Sequence, residues 1–326
     1  MTLIRSELVG FGNYLPEKIL SNDDLSKIVD TNDEWITERT GIKNRHIAAD
    51  GEYTSDLCFK AAKMALENAN IKADEIDLVV VATVTPDNTT PAVSVKVATM
   101  LGTKPGTPAL DVSAACSGFV YALDFIDSMI RVGKIKKAVV IGAETLSRIT
   151  DWTDRNTCIL FGDGAGAVVI QGIEGKGTYE DRGLLVSKIY SDGREYEQLK
   201  TTGGPSTTSS LGYIYMNGKE VFKFAIPAMA GAIEAVASEA GASLSDIDWF
   251  IPHHANIRII EGVAKKLDID SEKVIINVNE TGDTSAATIP VALSEAVAEG
   301  KIKKGDLVAL AAMGAGFTVG GRLSRS

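Results

Sequence analysis

The sequence contains few of the residues that form disulfides and metal centres, with three cysteines and three histidines among 326 residues. Cys58, Cys116 and Cys158 cannot all pair with one another, and their spacing does not fit a structural zinc site. The adjacent pair His253-His254 has no further cysteine or histidine nearby to complete a ligand set. We therefore predict no metal and a reducing, cytoplasmic location for the protein.

The sequence also has no excess of positive charge and no long apolar run. Its net charge of −10 at pH 7 argues against nucleic acid or an anionic membrane as a main partner. No apolar run approaches the ~20 residues that span a bilayer. Residues 1–16 carry charges and glycines where an export signal needs an apolar core. With 45% hydrophobic and 23% charged residues, the composition is that of a soluble globular protein.

Patterns of buried strands alternate along the chain with amphipathic helix patterns. Residues 76–85 are almost continuously apolar and β-branched, which is typical of a strand buried on both faces of a sheet. This alternation predicts an α/β fold with parallel sheets. The glycine-rich segment 161–166 resembles a dinucleotide-binding loop, but a strand pattern follows it rather than a helix. Further strands are predicted at residues 3–14, 109–112, 137–142, 248–252, 274–278, 306–312 and 314–321.

An internal repeat indicates that the chain consists of two duplicated halves. The pentapeptide Gly133–Lys137 recurs as Gly300–Lys304, an offset of 167 (300 minus 133). The helix-to-strand units at 54–85 and 220–252 also match in order. Because the order of elements agrees as well as the pentapeptide, duplication is the better interpretation.

The predicted halves are residues 1–172 and 173–326. The offset of 167 carries Cys116 onto Asp283, which also follows a strand and opens a helix. Because ligands in α/β folds bind at the carboxyl ends of strands, Cys116, His253 and Asp283 are expected to line one cleft.

Cys116 is the strongest candidate for a nucleophile. It lies in the stretch Asp111–Phe119, where a strand pattern gives way to an amphipathic helix pattern. The free N–H groups and the dipole of a helix N-terminus favour an anion, and this setting lowers the pKa of a cysteine. We therefore expect Cys116 to be a reactive thiolate.

Several separated motifs, in the same order along the chain, resemble β-ketoacyl-[acyl-carrier-protein] synthase III. The resemblance runs from Gly10 to Gly321 and implies a thiolase fold, with duplicated halves in a five-layered αβαβα arrangement and a homodimeric assembly. It implies an acyltransferase, the condensing enzyme that starts fatty acid biosynthesis. Its partners would be acyl-CoA, used as a substrate rather than a cofactor, and malonyl-acyl carrier protein, joined to give a 3-ketoacyl product, CoA and CO₂. The motifs are Thr31–Ile42, Ala114–Gly118, Asp154-Arg155, Phe161–Gly166, Pro252–Ile259 and Gly282–Ala287.

The resemblance also implies roles for individual residues. Cys116 matches the acylated nucleophile, His253 the catalytic histidine, and Asp283 stands where the family has asparagine. The backbone N–H groups of Cys116 and Ala315 match the oxyanion hole, with Ala315 replacing a family glycine.

The resemblance further places a substrate tunnel. Trp35 and Arg155 match residues that sandwich the CoA adenine, with Arg39 in the same motif. Asn256 matches a residue near the pantetheine arm, and Phe222 lies at the tunnel mouth. Arg258 matches a basic residue that docks the acidic carrier protein, and Lys223, which is expected beside the tunnel mouth, is a second candidate for this docking.

Asp283 is the departure from the family pattern that bears most on function. An ionised carboxylate cannot donate a hydrogen bond to the enolate that decarboxylation forms. It is also expected to raise the pKa of His253, because an opposite charge favours the charged form. Three interpretations therefore stay open: a condensing enzyme, a non-decarboxylating Cys–His–Asp acyltransferase or thioesterase, and a subunit that only binds a partner. The presence of both Cys116 and His253 argues against the third.

Overall fold

The structure, a computed structural model, describes residues 3–326 and contains two large mixed β-sheets. Met1 and Thr2, the start of the segment in which no export signal is expected, lie outside the described residues. The strands are β1 (Leu3–Tyr14), β2 (Lys18–Ser21), β3 (Asn44–Ile47), β4 (Leu78–Ala82), β5 (Ala109–Val112), β6 (Lys137–Thr145), β7 (Asp163–Gly175), β8 (Gly183–Ser191), β9 (Leu199–Thr201), β10 (Ile214–Met216), β11 (Trp249–Pro252), β12 (Leu307–Gly314) and β13 (Thr318–Arg325).

Capping residues mark the start or the end of several helices. Asn32 and Asn256 precede α2 and α7, and each side chain accepts a hydrogen bond from a backbone N–H of the first turn. Gly241 ends α6 in the left-handed conformation. The helices are α1 (Asn22–Leu25), α2 (Asp33–Thr40), α3 (Thr54–Ala69), α4 (Val93–Leu101), α5 (Gly118–Arg131), α6 (Gly218–Ala240), α7 (Ile257–Leu267), α8 (Val278–Thr281) and α9 (Thr288–Ala298).

The two large sheets have the same strand order, which supports the predicted duplication. The first runs β1-β7-β6-β4-β5 and the second β8-β13-β12-β11. In the first sheet β4 is parallel to β6, and in the second sheet the edge strand β11 is parallel to β12. The two strands at the other edge are antiparallel, β7 with β1 and β13 with β8.

The strand predicted at residues 274–278 is wrong. Only Val274 forms a parallel bridge, to Phe250 of β11, at the edge where β5 lies in the first sheet. Beyond this bridge the side chain of Asn277 hydrogen-bonds His254 at 2.7 Å, and α8 begins at Val278.

Helices cover both sheets and separate them. α3 and α4 pack on the outer face of the first sheet. α5 and α9 lie between the sheets, where Phe119, Leu123 and Ile289 contact residues of both. α6 and α7 pack on the outer face of the second sheet. The layers are therefore helix, sheet, helix, sheet, helix, as predicted for a thiolase fold.

The register of the repeat differs from the predicted offset at the functionally important turns. The 3₁₀ turn Ala115–Ser117 corresponds to Ser285–Ala287, an offset of 170 (285 minus 115). The pentapeptide offset is smaller because α5 has 14 residues and α9 has 11. Cys116 therefore corresponds to Ala286, not to Asp283.

The expectation that no segment is long and apolar enough to span a bilayer is wrong for helix α6. By length and composition alone Gly218–Ala240 would suffice, with a mean hydropathy of 1.4. In the fold, however, Met229, Ile233 and Val236 are buried against the second sheet and α7, so α6 is a core helix.

The glycine-rich segment leads into a strand, as predicted. Asp163 opens β7, and its carboxylate accepts hydrogen bonds from the backbone N–H groups of Ala48 and Ser147 at 2.7 and 2.8 Å. A Cβ at Gly166 would lie 2.5 Å from the backbone of Pro290. This glycine therefore serves the close packing of β7 on α9.

Candidate active site

Cys116 lies in a tight turn between β5 and α5. The turn is a 3₁₀ turn that continues directly into α5, and Ala115 has a positive φ of 47°. The end of β12 packs closely behind it, since a Cβ at Gly314 would lie 2.8 Å from the backbone nitrogen of Cys116. The turn is therefore held rigidly, with Cys116 half-buried at the wall of a cavity.

The structure brings Cys116, His253 and Asp283 together, as the sequence predicts. The Cys116 sulfur, a ring nitrogen of His253 and a carboxyl oxygen of Asp283 all lie within 4.8 Å of one another. His253 Nε2 is 3.7 Å from Asp283 Oδ2, which is too long for a hydrogen bond. His254 instead contacts Asn277 and the Ile275 carbonyl, so its ring is held within the fold.

Thr288 determines which nitrogen of His253 carries the proton. The Thr288 hydroxyl donates to the carbonyl of Ser285 at 3.0 Å. Its oxygen therefore accepts from His253 Nδ1–H, at 2.8 Å. The neutral ring then presents an unprotonated Nε2 to the site, which can take up a proton.

The electrostatics of the His253–Asp283 pair differ from the predicted ion pair. Burial raises the pKa of Asp283 to about 8, and the charge of Glu144 adds to the rise. Burial lowers the pKa of His253 to about 3. The expectation that an ionised Asp283 raises the pKa of His253 is therefore wrong, because the site is too buried to hold the two charges. Near neutral pH Asp283 is a carboxylic acid, which can donate a hydrogen bond.

Cys116, the predicted nucleophile, is a thiol at rest rather than the predicted thiolate. Burial raises the pKa of Cys116 well above its usual value, and a hydrogen bond from Ser285 only partly opposes this. The helix N-terminus does not outweigh the loss of hydration. Cys116 therefore needs a base at the moment it reacts, and His253 is in reach.

The proposed oxyanion hole lies where two chain segments meet. Cys116 and Ala315 both line the cavity, and Ala315 has no positive φ, so its methyl group adds no strain. The Thr318 hydroxyl lies within hydrogen-bond distance of the carbonyl oxygens of Ala114 and Ala315, at 3.0 and 3.2 Å. Thr318 thus ties together the two loops that carry these N–H groups.

A cavity of about 720 Å³ opens over the three side chains. Residues 199–207, an exposed and mostly polar segment, form one wall. The opposite wall is apolar and includes Leu146, Phe161, Met229 and Met313. The cavity is large enough for an acyl chain beside the reactive sulfur.

The predicted CoA residues fall into two groups. The guanidinium groups of Arg39 and Arg155 lie over the Trp35 ring, with their carbons 4.7 and 4.3 Å from its centroid. Trp35 packs in the same cluster as Ile214 and Met216, which line the cavity. The second group is Phe222, which is 41% exposed, and Asn256, which caps α7. Each is adjacent in sequence to a residue that lines the cavity, Val221 and Ala255 respectively.

The predicted docking residues lie on two packed helices, α6 and α7, and are exposed. Lys223 Nζ is 3.4 Å from Glu220, and an Arg258 guanidinium nitrogen is 3.9 Å from Glu38. Each basic group therefore already faces a carboxylate, so the surface is mixed rather than purely basic.

Sequence reasoning missed three polar residues around the triad. All three are buried: Thr288 contacts His253, Ser285 contacts Cys116, and Glu144 lies beside the Ser285 hydroxyl. Ser285 corresponds to Ala115 in the repeat, and both have a positive φ, 50° for Ser285. An alignment of these two turns would have suggested Ser285. No signal in the sequence marks Glu144.

The same three donor atoms form a set that could hold a metal ion. Cysteine, histidine and aspartate are ligands that zinc accepts. The expectation of no metal remains a prediction, which metal analysis of the purified protein can test.

Comparisons with known proteins place the chain in a family. A family model described as 3-oxoacyl-[acyl-carrier-protein (ACP)] synthase III matches residues 110–193, and its C-terminal counterpart matches residues 237–326. β-Ketoacyl-[acyl-carrier-protein] synthase III of Rhodospirillum centenum is 54% identical over 322 residues, 99% of each chain. The chain belongs to the β-ketoacyl-[acyl-carrier-protein] synthase III family.

Solved structures of the family have the same fold. The crystal structure of 3-oxoacyl-[acyl-carrier-protein] synthase III from Aquifex aeolicus superposes with a TM-score of 0.92 at 46% identity, covering 98% of this chain and all of the other. The priming β-ketosynthase of the R1128 polyketide pathway superposes with a TM-score of 0.91 at 32% identity, covering 98% and 96%. The thiolase fold predicted from the sequence is therefore confirmed.

Proposed function

We propose that the protein catalyses the condensation of an acyl-CoA primer with malonyl-acyl carrier protein, giving 3-ketoacyl carrier protein, CoA and CO₂. The observation that carries this function is the close grouping of Cys116, His253 and Asp283 at the cavity, within a family of that activity. No observation favours a non-decarboxylating acyltransferase or thioesterase, since that alternative needs an ionised Asp283.

In the first half-reaction Cys116 becomes acylated. Its sulfur attacks the thioester carbonyl as the thiol proton passes to His253 Nε2. The carbonyl oxygen, now negative, accepts hydrogen bonds from the N–H groups of Cys116 and Ala315. One such donor contributes about 3–4 kcal/mol elsewhere. The intermediate then expels CoA thiolate, which takes the proton back from His253.

In the second half-reaction malonyl carrier protein loses CO₂. The electron pair of the broken C–C bond forms an enolate, whose oxygen accepts a hydrogen bond from the carboxylic acid of Asp283. This donor replaces the amide of the family asparagine. The enolate carbon attacks the acyl-cysteine carbonyl, and the sulfur leaves as a thiolate to yield the 3-ketoacyl product. The thiolate then takes up one proton from solvent, which restores the resting thiol.

The substrates reach Cys116 through the cavity. Trp35 with its two flanking arginines would hold the adenine of CoA, and Phe222 and Asn256 would border the pantetheine arm. Lys223 and Arg258 would meet the acidic carrier protein at the mouth.

Four further points complete the proposal: cofactor use, location, oligomeric state and the boundary between the two halves. The protein acts without a cofactor, CoA thioester being a substrate, and it works in the cytoplasm as a homodimer. The two halves divide at residues 172 and 173. Analytical ultracentrifugation tests the dimer.

Two assays on one preparation test the function. Incubation with acetyl-CoA should acetylate the Cys116 peptide, detected by mass spectrometry, and addition of malonyl carrier protein should then release CO₂ and yield acetoacetyl carrier protein. Cys116→Ala should abolish both, whereas Cys158→Ala is a matched control that should retain both. Acetylation without CO₂ release would identify a non-decarboxylating acyltransferase instead.

A further inference from the structure

Glu144 is a fully buried carboxyl group that the reaction described above does not use. It lies near the end of β6, with no exposed surface. Its oxygens accept hydrogen bonds from Val84 N–H at 3.1 and 3.2 Å, from Thr83 at 3.2 Å and from Thr85 at 2.6 Å. The Ser285 hydroxyl also lies beside it, within reach of both Glu144 and the Cys116 sulfur. A buried acid with this many hydrogen-bond partners holds a fixed position in the structure around the site.

The direction of these hydrogen bonds is fixed. Thr85 Oγ1 accepts from Thr145 N–H at 2.8 Å, and Thr83 Oγ1 accepts from Thr85 N–H at 3.1 Å. Both hydroxyl protons are therefore directed at Glu144. These donors favour the charged form of Glu144 and oppose the effect of burial, which raises the pKa of Glu144 to about 7 but leaves it below that of Asp283.

Asp283 has the opposite surroundings. It accepts one hydrogen bond, from the Ser285 N–H at 2.8 Å, and its other oxygen faces the unprotonated His253 Nε2 at 3.7 Å. The titratable groups facing it are Cys116 before α5, His253 after β11, and Glu144 from β6. Arg45, packed behind Gly282, directs its guanidinium away to Asn22 and Ile159.

Ser285 connects the two carboxyl groups. Its N–H donates to Asp283, while its hydroxyl contacts both Glu144 and the Cys116 sulfur. Since two adjacent buried carboxyls cannot both ionise without strong repulsion, the proton remains on the one with fewer donors.

We propose that Glu144 is a positioning residue, whose buried negative charge keeps the acid proton on Asp283, where it serves decarboxylation. This inference rests on the proposed condensing function. The charge of Glu144 on β6 thus keeps Asp283 protonated, so that Asp283 can donate a hydrogen bond as the asparagine of the family does.

The experiment compares the pH dependence of CO₂ release from malonyl carrier protein by pre-acetylated enzyme. Glu144→Gln should move the alkaline midpoint to lower pH by about one unit or more, because one negative charge is removed. Glu144→Asp, which keeps the charge, should leave the midpoint in place. In an Asp283→Asn background, Glu144→Gln should shift no midpoint of CO₂ release, while the midpoint of Cys116 alkylation still falls.

A uniform loss of activity with an unchanged midpoint in Glu144→Gln would overturn the proposal, since that is the result of a purely structural role. If this variant does not fold, infrared spectroscopy decides. The C=O band of one buried carboxylic acid should be lost in Asp283→Asn, and a spectrum that loses no such band would show that Asp283 does not carry the proton and would overturn the proposal. Acetylation and CO₂ release by the unaltered enzyme report separately on the proposed function.

Discussion

Replacing Asp283 with asparagine tests whether the acid form of this residue does the work of the family amide. Because burial raises the pKa of Asp283 to about 8, the acid form falls with rising pH. It is about nine-tenths of the population near pH 7 and about one-tenth near pH 9. An amide does not titrate in this range. The unaltered enzyme should therefore lose about tenfold in CO₂ release between these pH values, and Asp283→Asn should not.

The magnitude at neutral pH separates two electrostatic pictures. Loss of one preorganised donor costs about 10²- to 10³-fold in rate. An ionised Asp283 would therefore make the unaltered enzyme about 10²-fold slower than Asp283→Asn near pH 7. With the acid form dominant, the two should agree within about twofold. Asp283→Ala, which has no donor, should be about 10²-fold slower than both.

The assay is single-turnover CO₂ release from malonyl carrier protein on enzyme acetylated beforehand, so that acylation does not limit the rate. Acetylation itself is followed in parallel by mass spectrometry. A large gain for Asp283→Asn near pH 7 would refute the reasoning, and so would a flat profile for the unaltered enzyme up to about pH 9.

Three further predictions concern the surroundings of the triad. Thr288→Val should slow acetylation by about 10²-fold, because it frees the tautomer of His253 and so weakens general base catalysis; stopped-flow CoA release measures this. Iodoacetamide with peptide mapping should label Cys116 ahead of the other two cysteines, which are fully buried, at a rate that rises with pH because burial raises the pKa of Cys116. Arg258→Glu should raise KM for malonyl carrier protein about fivefold, with a smaller effect in high salt.

Each of these predictions has a matched control. Thr288→Ser keeps the hydroxyl and should retain most of the acetylation rate; equal rates for the valine and serine variants would contradict the tautomer assignment. Labelling of Cys58 before Cys116 would contradict the assignment of the nucleophile. Lys134→Glu changes an exposed base at the amino end of β6, away from the cavity, and should leave KM unchanged. An equal effect of Arg258→Glu on KM for acyl-CoA would argue against carrier docking.

The fold and the proximity of Cys116, His253 and Asp283 could be predicted from the sequence for physical reasons. Strands buried on both faces leave near-continuous apolar runs, and their carboxyl ends meet at one edge of a sheet. Cys116 follows the carboxyl end of the edge strand β5 and His253 that of β11, so their proximity follows from topology. The repeat was visible because both halves use the same order of elements.

The electrostatics of the site could not be predicted, because they depend on burial by distant segments. Glu144 and Asp283 are far apart in sequence, and the charge of one affects the other only once β6 and the turn before α9 are packed together. The shift in register was hidden for a similar reason: the extra turn of α5 changes the offset after Cys116 without changing the order of elements. The prediction of a short strand after α7 was wrong, and the sequence does not show that Asn277, within that segment, hydrogen-bonds the buried His254.

The uncharged resting triad affects how the enzyme survives oxidants. Peroxides oxidise thiolates far faster than thiols, and the first product, a sulfenic acid, would block acylation. Burial holds Cys116 as a thiol, and His253 is too weak a base at rest to take its proton permanently. The reactive sulfur then exists only while a bound thioester draws the proton away, so idle enzyme resists the damage to which a permanently ionised cysteine would be exposed.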